Sequence, residues 1–425
     1  MVPLTEDAAA PPAAARPLWR RNLLVLSSSQ LVTVAAMSIV IPFIPFFVRE
    51  LGVTDRAAVE RWSGLIFSGP FLMAGLLSPV WGALGDRYGH KPMVVRAIIA
   101  LAVVNFLCYF VRTPLELWIL RLIQGAVTGF IPAALAITSA TTPPDKLPDA
   151  MGKLNAAAAA GRLAGPAAGG LLAGILGYRD IFLLTGSMIA IGAVTVVLFL
   201  ENPPPRRVAR GSPVGNFKAA WQDRRLRLAL VGLLVSMVAV SMVMPIFPLF
   251  VEDLLAQVSG RGLDAATWTG IGFAVVAGFA MLGSAALGPI AQRVGLKVVL
   301  IVALGVTSLA LALHPFVGGI AGLLGVRALL GIGAAGVQPV LISMISREAP
   351  EGRGGGFAGL ASAATIFGFF LGPGSGGWLA NQVGVDGVFR IAAALAAFCG
   401  IGAAIVARRT GRNREIRPLP IGLPR

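Results

Sequence analysis

The chain has 425 residues, 56% of them hydrophobic and only 13% charged, with a mean hydropathy of +0.82. Soluble domains average about 45–50% apolar and about 25% charged residues, so this composition excludes disorder and an ordinary soluble enzyme and calls for lipid as the solvent. The net charge of +16 sits mainly between apolar runs, which reads as membrane topology and not as a nucleic-acid surface.

Apolar stretches of about 20 residues can each cross a hydrocarbon core of about 30 Å. In chain order the first six are spans 1–6: Leu23–Phe47, Trp62–Leu84, Met93–Val111, Leu115–Thr138, Met151–Ile175 and Ile181–Leu200. Span 1 is too long for a signal-peptide core and is kept as a helix. A basic, proline-bearing interval follows, with Pro203, Pro204, Pro205, Arg206, Arg207, Arg210, Lys218, Arg224, Arg225 and Arg227, and a short surface helix is expected near Phe217–Trp221. Spans 7–12 are Leu228–Val251, Trp268–Ile290, Val298–Val317, Ile320–Ile345, Phe357–Ala380 and Val388–Val406. The expected organisation is a tail (1–22), a six-helix bundle (23–200), a linker (201–227), a second six-helix bundle (228–408) and a final tail (409–425). With the N-terminus inside, the inside segments carry 23 Lys and Arg and the outside loops 6. That asymmetry predicts a multi-pass protein of the cytoplasmic (inner) membrane with both termini cytoplasmic.

The two sets of spans repeat one another. Gly82, Asp86, Arg87, Gly89 and Lys91 follow span 2, and Gly288, Gln292, Arg293, Gly295 and Lys297 follow span 8 at an offset of 206. Arg121 and Gly125 of span 4 match Arg327 and Gly331 of span 10 at the same offset. Gly161, Gly165, Pro166, Gly169 and Gly170 of span 5 match Gly368, Gly372, Pro373, Gly376 and Gly377 of span 11 at 207, and Pro42 and Pro45 match Pro245 and Pro248 at 203. Two tandem, parallel six-helix halves imply a pseudo-two-fold axis along the membrane normal and a cavity between the halves.

These residues resemble the major facilitator superfamily over essentially the whole chain. The Gly82–Lys91 loop resembles its signature between helices 2 and 3, and Arg121, Gln124 and Gly125 resemble its helix 4 motif. Gly161–Gly170 resembles the helix 5 motif of the twelve-helix drug:proton antiporters. Trp19-Arg-Arg-Asn-Leu, Pro42–Val48 and Trp62-Ser-Gly resemble the MdtG-type multidrug exporters. The resemblance implies an all-α membrane protein of twelve transmembrane helices in two pseudo-symmetric bundles. It also implies a latch in which Asp86 meets the helix opening at Gly354–Gly356, and a seam at the span 5 and 11 motifs that limits leak. In the second half Gln292 replaces the loop Asp and Leu330 the helix 4 Gln; His90 stands where the family usually has Arg.

Read as chemistry, a carboxylate at a helix N-terminus is stabilised by about 0.3–1 kcal/mol, which suits Asp86 to such a latch. Arg121 and Gln124 share one helix face with Gly125 and Thr128, and the expected orientation is toward a cavity. The glycines of spans 5 and 11 let helices pack closely, and Pro166 bends its helix. Arg162 lies near the membrane midplane, where arginine costs about 2.5–3.5 kcal/mol. With no acid at that depth, it is expected to face water and to attract an anionic or zwitterionic group. Span 1 has no acid and only Gln30 as a strongly polar group, so the acids are expected in loops, tails and span ends. Proton carriers are then sought among Asp86, Asp180, Glu50, Glu252, Asp253 and His314.

The expected function is secondary active export of small amphipathic compounds by proton antiport and alternating access. The partners are such a substrate, protons and membrane lipid, with no nucleic acid, and the chain is expected as a monomer. A proton-independent facilitator, or an exporter of an endogenous lipid, siderophore or sugar derivative, is the alternative. A channel is less consistent with the tandem repeat. Cys108 and Cys399 in apolar runs and two distant histidines give no metal, cofactor or catalytic cluster, and no nucleotide-binding loop indicates an ATP-driven pump.

Overall fold

A computed structural model describes residues 18–201, 213–257, 263–350 and 353–410; the tails and the first part of the linker lie outside them. The described chain is helical throughout. Ten helical stretches are long and apolar enough to cross a membrane. One of these, Gly354–Ala407, spans 54 residues and bends at Gly384, whose φ of 75° no helix accommodates, so it holds spans 11 and 12. Span 7 is divided into Arg224–Ser241 and Phe247–Gln257. Its basic start and its interruption explain why it is not among the ten, and twelve spans result.

Contacts divide the described residues into two compact units. One lies within Met1–Val53, Gly69–Ala209 and Ala266–Ala274, the other within Thr54–Ser68, Arg210–Ala265 and Val275–Arg425. The opening part of span 2 thus groups with the second unit, and the opening part of span 8 with the first.

Local chemistry sets the breaks. Pro42 and Pro45 interrupt span 1, which runs as Leu18–Ile39, a 3-10 turn over Ile41–Phe43, and Ile44–Glu50; each proline removes a backbone donor. Pro245 lies in the equivalent interruption of span 7. Gly89 and Gly295 open spans 3 and 9 with φ of 92° and 87°, a left-handed geometry that glycine alone adopts without strain. The predicted surface helix is present as Pro213–Gln222, with exposed Phe217 and Trp221 rings stacked at 5.8 Å.

Besides spans 1 and 7, spans 4 and 2 differ from expectation. Span 4 is not continuous: Pro114–Val127 stops and Phe130–Thr141 restarts after Gly129, which has φ of 134°. Carbonyls freed at such a break need new donors. Trp81 Nε1 donates to Ala126 O at 2.7 Å, and Arg96 Nη2 donates to Thr128 O at 3.2 Å while its guanidinium lies 3.3 Å from the Trp81 ring centroid. Span 2 begins at Arg56 and not at Trp62. The earlier start carries Glu60 into the helix and buries it.

Candidate functional site

The glycine motif of span 5 has two working faces. Gly161, Gly165 and Gly169 lie against span 1, and a methyl group added at Gly161 would come within 2.8 Å of Leu31 O, one at Gly165 within 2.6 Å of Ala35 O. Pro166 and Gly170 lie against the start of span 8: Gly270 abuts Pro166 O, and Thr267 Oγ1 donates to Gly170 O at 3.0 Å. The second unit repeats the arrangement. Gly368, Gly372 and Gly376 abut span 7 at Leu234, Val238 and Met242, while Gly64 of span 2 lies against Pro373 and Gly377. Gly64, which the sequence offers only within Trp62-Ser-Gly, and Gly270 are related by the same offset of 206.

Arg162 lies on that second face, one helical turn from Pro166 and two from Gly170. Its side chain is exposed. The surface it occupies is therefore continuous with the one that meets span 8.

Arg121 and Gln124 are brought together: Arg121 Nη1 donates to Gln124 Oε1 at 2.7 Å, both residues are buried, and the guanidinium lies 5.9 Å from the Phe182 ring centroid. This corrects the expectation of a group open to a cavity. Nε and Nη2 of Arg121 make no hydrogen bond. Gln30 is likewise fully buried and donates to Leu154 O at 3.2 Å, so it ties span 1 to span 5. The second unit buries Arg327 at the matching position, 3.6 Å from the Phe247 ring centroid. Phe47 packs on Phe182 at 5.2 Å and Phe250 on Phe389 at 5.1 Å, equivalent pairs in the repeat. Cys108 and His314 are also equivalent; His314 stacks on Phe389 at 4.6 Å and its Nδ1 contacts Ala310 O at 2.8 Å.

At the start of span 2 the candidate Asp253 is joined by an acid the sequence did not single out, Glu60. Glu60 is 4% exposed, and Arg56 Nε donates to its Oε1 at 3.3 Å. The same guanidinium pairs through both terminal nitrogens with Asp253. These groups, with Asp55 and Asp386, line a cavity of about 660 Å³ within the second unit. Its signal in the sequence was Arg56 four residues before Glu60, a helical ion-pair spacing.

At the other end of span 2, Asp86 and Arg87 are exposed at the helix terminus and the Arg87 guanidinium lies 5.3 Å from the Tyr88 ring centroid. Lys91 is half-buried in the first turn of span 3. The helix opening at Gly354 is covered at Gly356 by the buried Asn216 of the linker helix.

The Major Facilitator Superfamily model matches residues 26–284 and 229–421. The chain belongs to the major facilitator superfamily. It is 34% identical over 385 residues to "Multidrug resistance protein MdtG" of Salmonella paratyphi C (strain RKS4594), covering 90% of this chain and 94% of that protein. Among solved structures it resembles an aspartate-to-alanine mutant of the nucleoside transporter NupG, with a TM-score of 0.77 at 14% identity over 91% of this chain and 99% of that one. It also resembles the human organic anion transporter MFSD10 (TETRAN), with a TM-score of 0.66 at 18% identity over 93% and 100% of the two chains. The last two likenesses concern the fold alone. Membership makes the chain a multi-pass membrane transporter of the superfamily and not an enzyme.

Proposed function

We propose that the protein exports small amphipathic compounds by proton antiport, with both termini in the cytoplasm and alternating access as its mechanism. The kinship to a multidrug resistance protein along nine-tenths of the chain carries this reading. Glu60 strengthens it. Proton coupling needs an acid whose charge matters to packing, and a carboxylate 4% exposed and held by one shared arginine is such a group. Protonating Glu60 removes its claim on Arg56 and leaves that guanidinium to Asp253, so proton uptake changes the ion pairing where span 2 begins. Arg162 serves as the cation that orients an anionic or zwitterionic group of the substrate, and Asp86 as the latch of the opposite end. The domain limits 23–200 and 228–408 follow the repeat.

The deciding experiment uses proteoliposomes with an imposed inward proton gradient and an internal pH dye, challenged with lipophilic cations, neutral amphiphiles and organic anions. Substrate-dependent proton flux that Glu60→Gln abolishes and Arg162→Ala narrows to cations and neutral compounds is the expected result. Substrate flux indifferent to the gradient would favour the facilitator reading, which the exposed Arg162 also accommodates.

A further inference from the structure

The two units differ where each first helix meets its last. In the first, Ser29 Oγ of span 1 donates to Gly192 O of span 6 at 3.3 Å, deep in the bundle. A methyl group at Gly192 would lie 3.3 Å from Ile98 Cδ1 of span 3 and 3.9 Å from Ser29 Cα, so side chains fill the space between spans 1, 3 and 6. At the end of this contact Asn22 exchanges two hydrogen bonds with the backbone of Glu201, and Arg21 pairs with the Glu201 side chain.

In the second unit the same positions hold Gly232 and Cys399, and the thiol is 4.0 Å from Gly232 O. An apolar groove of about 210 Å³ opens between spans 7, 9, 10 and 12. Gly402 faces open space, and the nearest atom to a methyl group at Gly232 is Leu341 Cδ2 at 4.0 Å. The flanks Val302, Phe398 and Ile401 are exposed large apolar residues, as expected of a surface bathed in hydrocarbon. The mouth is polar. It carries Arg225 and Lys297, with Glu348 Oε1 3.4 Å from Arg225 Nη1. It lies beside the linker helix whose exposed Trp221 has the amphipathic character of a residue at the lipid–water boundary.

We propose that this groove is a binding site for one anionic phospholipid of the leaflet on the linker side. One acyl chain fills the groove along Gly232, Cys399 and Gly402, and the phosphate sits at Arg225 and Lys297. Two features select this occupant. The apolar slot is open to the bilayer, where acyl chains are the solvent. Its mouth carries two cations against one carboxylate, and each Lys or Arg near a membrane surface favours an anionic headgroup. The first unit has no such site because a hydrogen bond and a close glycine contact occupy the equivalent space.

The test is native mass spectrometry of the full-length protein, titrated in detergent with phosphatidylglycerol and phosphatidylcholine of the same acyl chains. Wild type is expected to retain one phosphatidylglycerol about tenfold more tightly than phosphatidylcholine. Arg225→Gln together with Lys297→Gln should bring the two lipids level. Gly402→Leu, which fills the slot and raises helix propensity, should abolish retention of the single tight lipid. Equal retention of both lipids by wild type would overturn the proposal without recourse to any variant. So would a Gly402→Leu protein that holds phosphatidylglycerol as wild type does, or preferential capture at this groove of a lipophilic cation over phosphatidylglycerol.

Discussion

The two halves bury an arginine at the same place and accommodate it by different chemistry. Arg121 hands a hydrogen bond to Gln124 one turn along its own helix. Arg327 has Leu330 at that position and lies over the Phe247 ring contributed by span 7. An ionised group out of water is tolerated only with local compensation; duplication preserved the charge, while the Gln124 acceptor of the first half has no counterpart at Leu330 and an aromatic face lies 3.6 Å from Arg327 in the second. Near them the repeat exchanges Cys108 for His314, and Arg162 of span 5 is matched by Phe369 of span 11. Backbone contacts were kept where side-chain chemistry was not: the glycine seams superpose by offset, residue for residue.

That contrast can be probed from its strongest element downward. Gly165→Leu and Gly372→Leu each force a side chain into backbone of a neighbouring span, and both should lower stability by at least about 1–3 kcal/mol, the cost of overpacking. Gly359→Leu, which meets open space, should not; apparent Tm in detergent reads all three, and unequal losses in the two seams would break the symmetry argued here. Gln124→Leu imitates the second half without supplying its ring, and should cost about 1–3 kcal/mol for the stranded donor. Phe247→Leu removes the aromatic face of Arg327, at about 0.5–2 kcal/mol, and Leu330→Gln should recover part of that loss if the two solutions are interchangeable. Ser29→Ala deletes the bond that closes the first unit and should cost about 0.5–1.5 kcal/mol in the same thermal assay.

Much of this architecture is legible from residues alone. All twelve spans are readable as apolar runs, and Pro42, Gly82, Arg121 and Gly161 with their partners expose the repeat. Span 2 was misplaced because Arg56, Glu60 and Arg61 depress hydropathy at a helix start, so a buried carboxylate resembled a loop residue. The break in span 4 was hidden since Thr128 and Gly129 are common inside membrane helices; what marks the break is a pair of donors, Trp81 and Arg96, from two other spans. Arg121 was read as open to water because a lone cation on a helix face gives no sign of the Phe182 ring that covers it from span 6. Local runs report on a helix and its own periodicity. Partners some tens of residues away are invisible to them.

The three offsets between equivalent residues rise along the chain, from 203 in the first spans to 206 from the second to the fourth and 207 from the fifth onward. Relative to the first half, the second is therefore three residues longer between Pro248 and Gly270, across the join of spans 7 and 8, and one residue longer between Gly331 and Gly368. One inserted residue turns everything beyond it by about 100° around a helix axis, carrying each glycine off the neighbour it touches. The largest length difference between the halves thus falls across a join between helices, where it leaves the paired glycines in register.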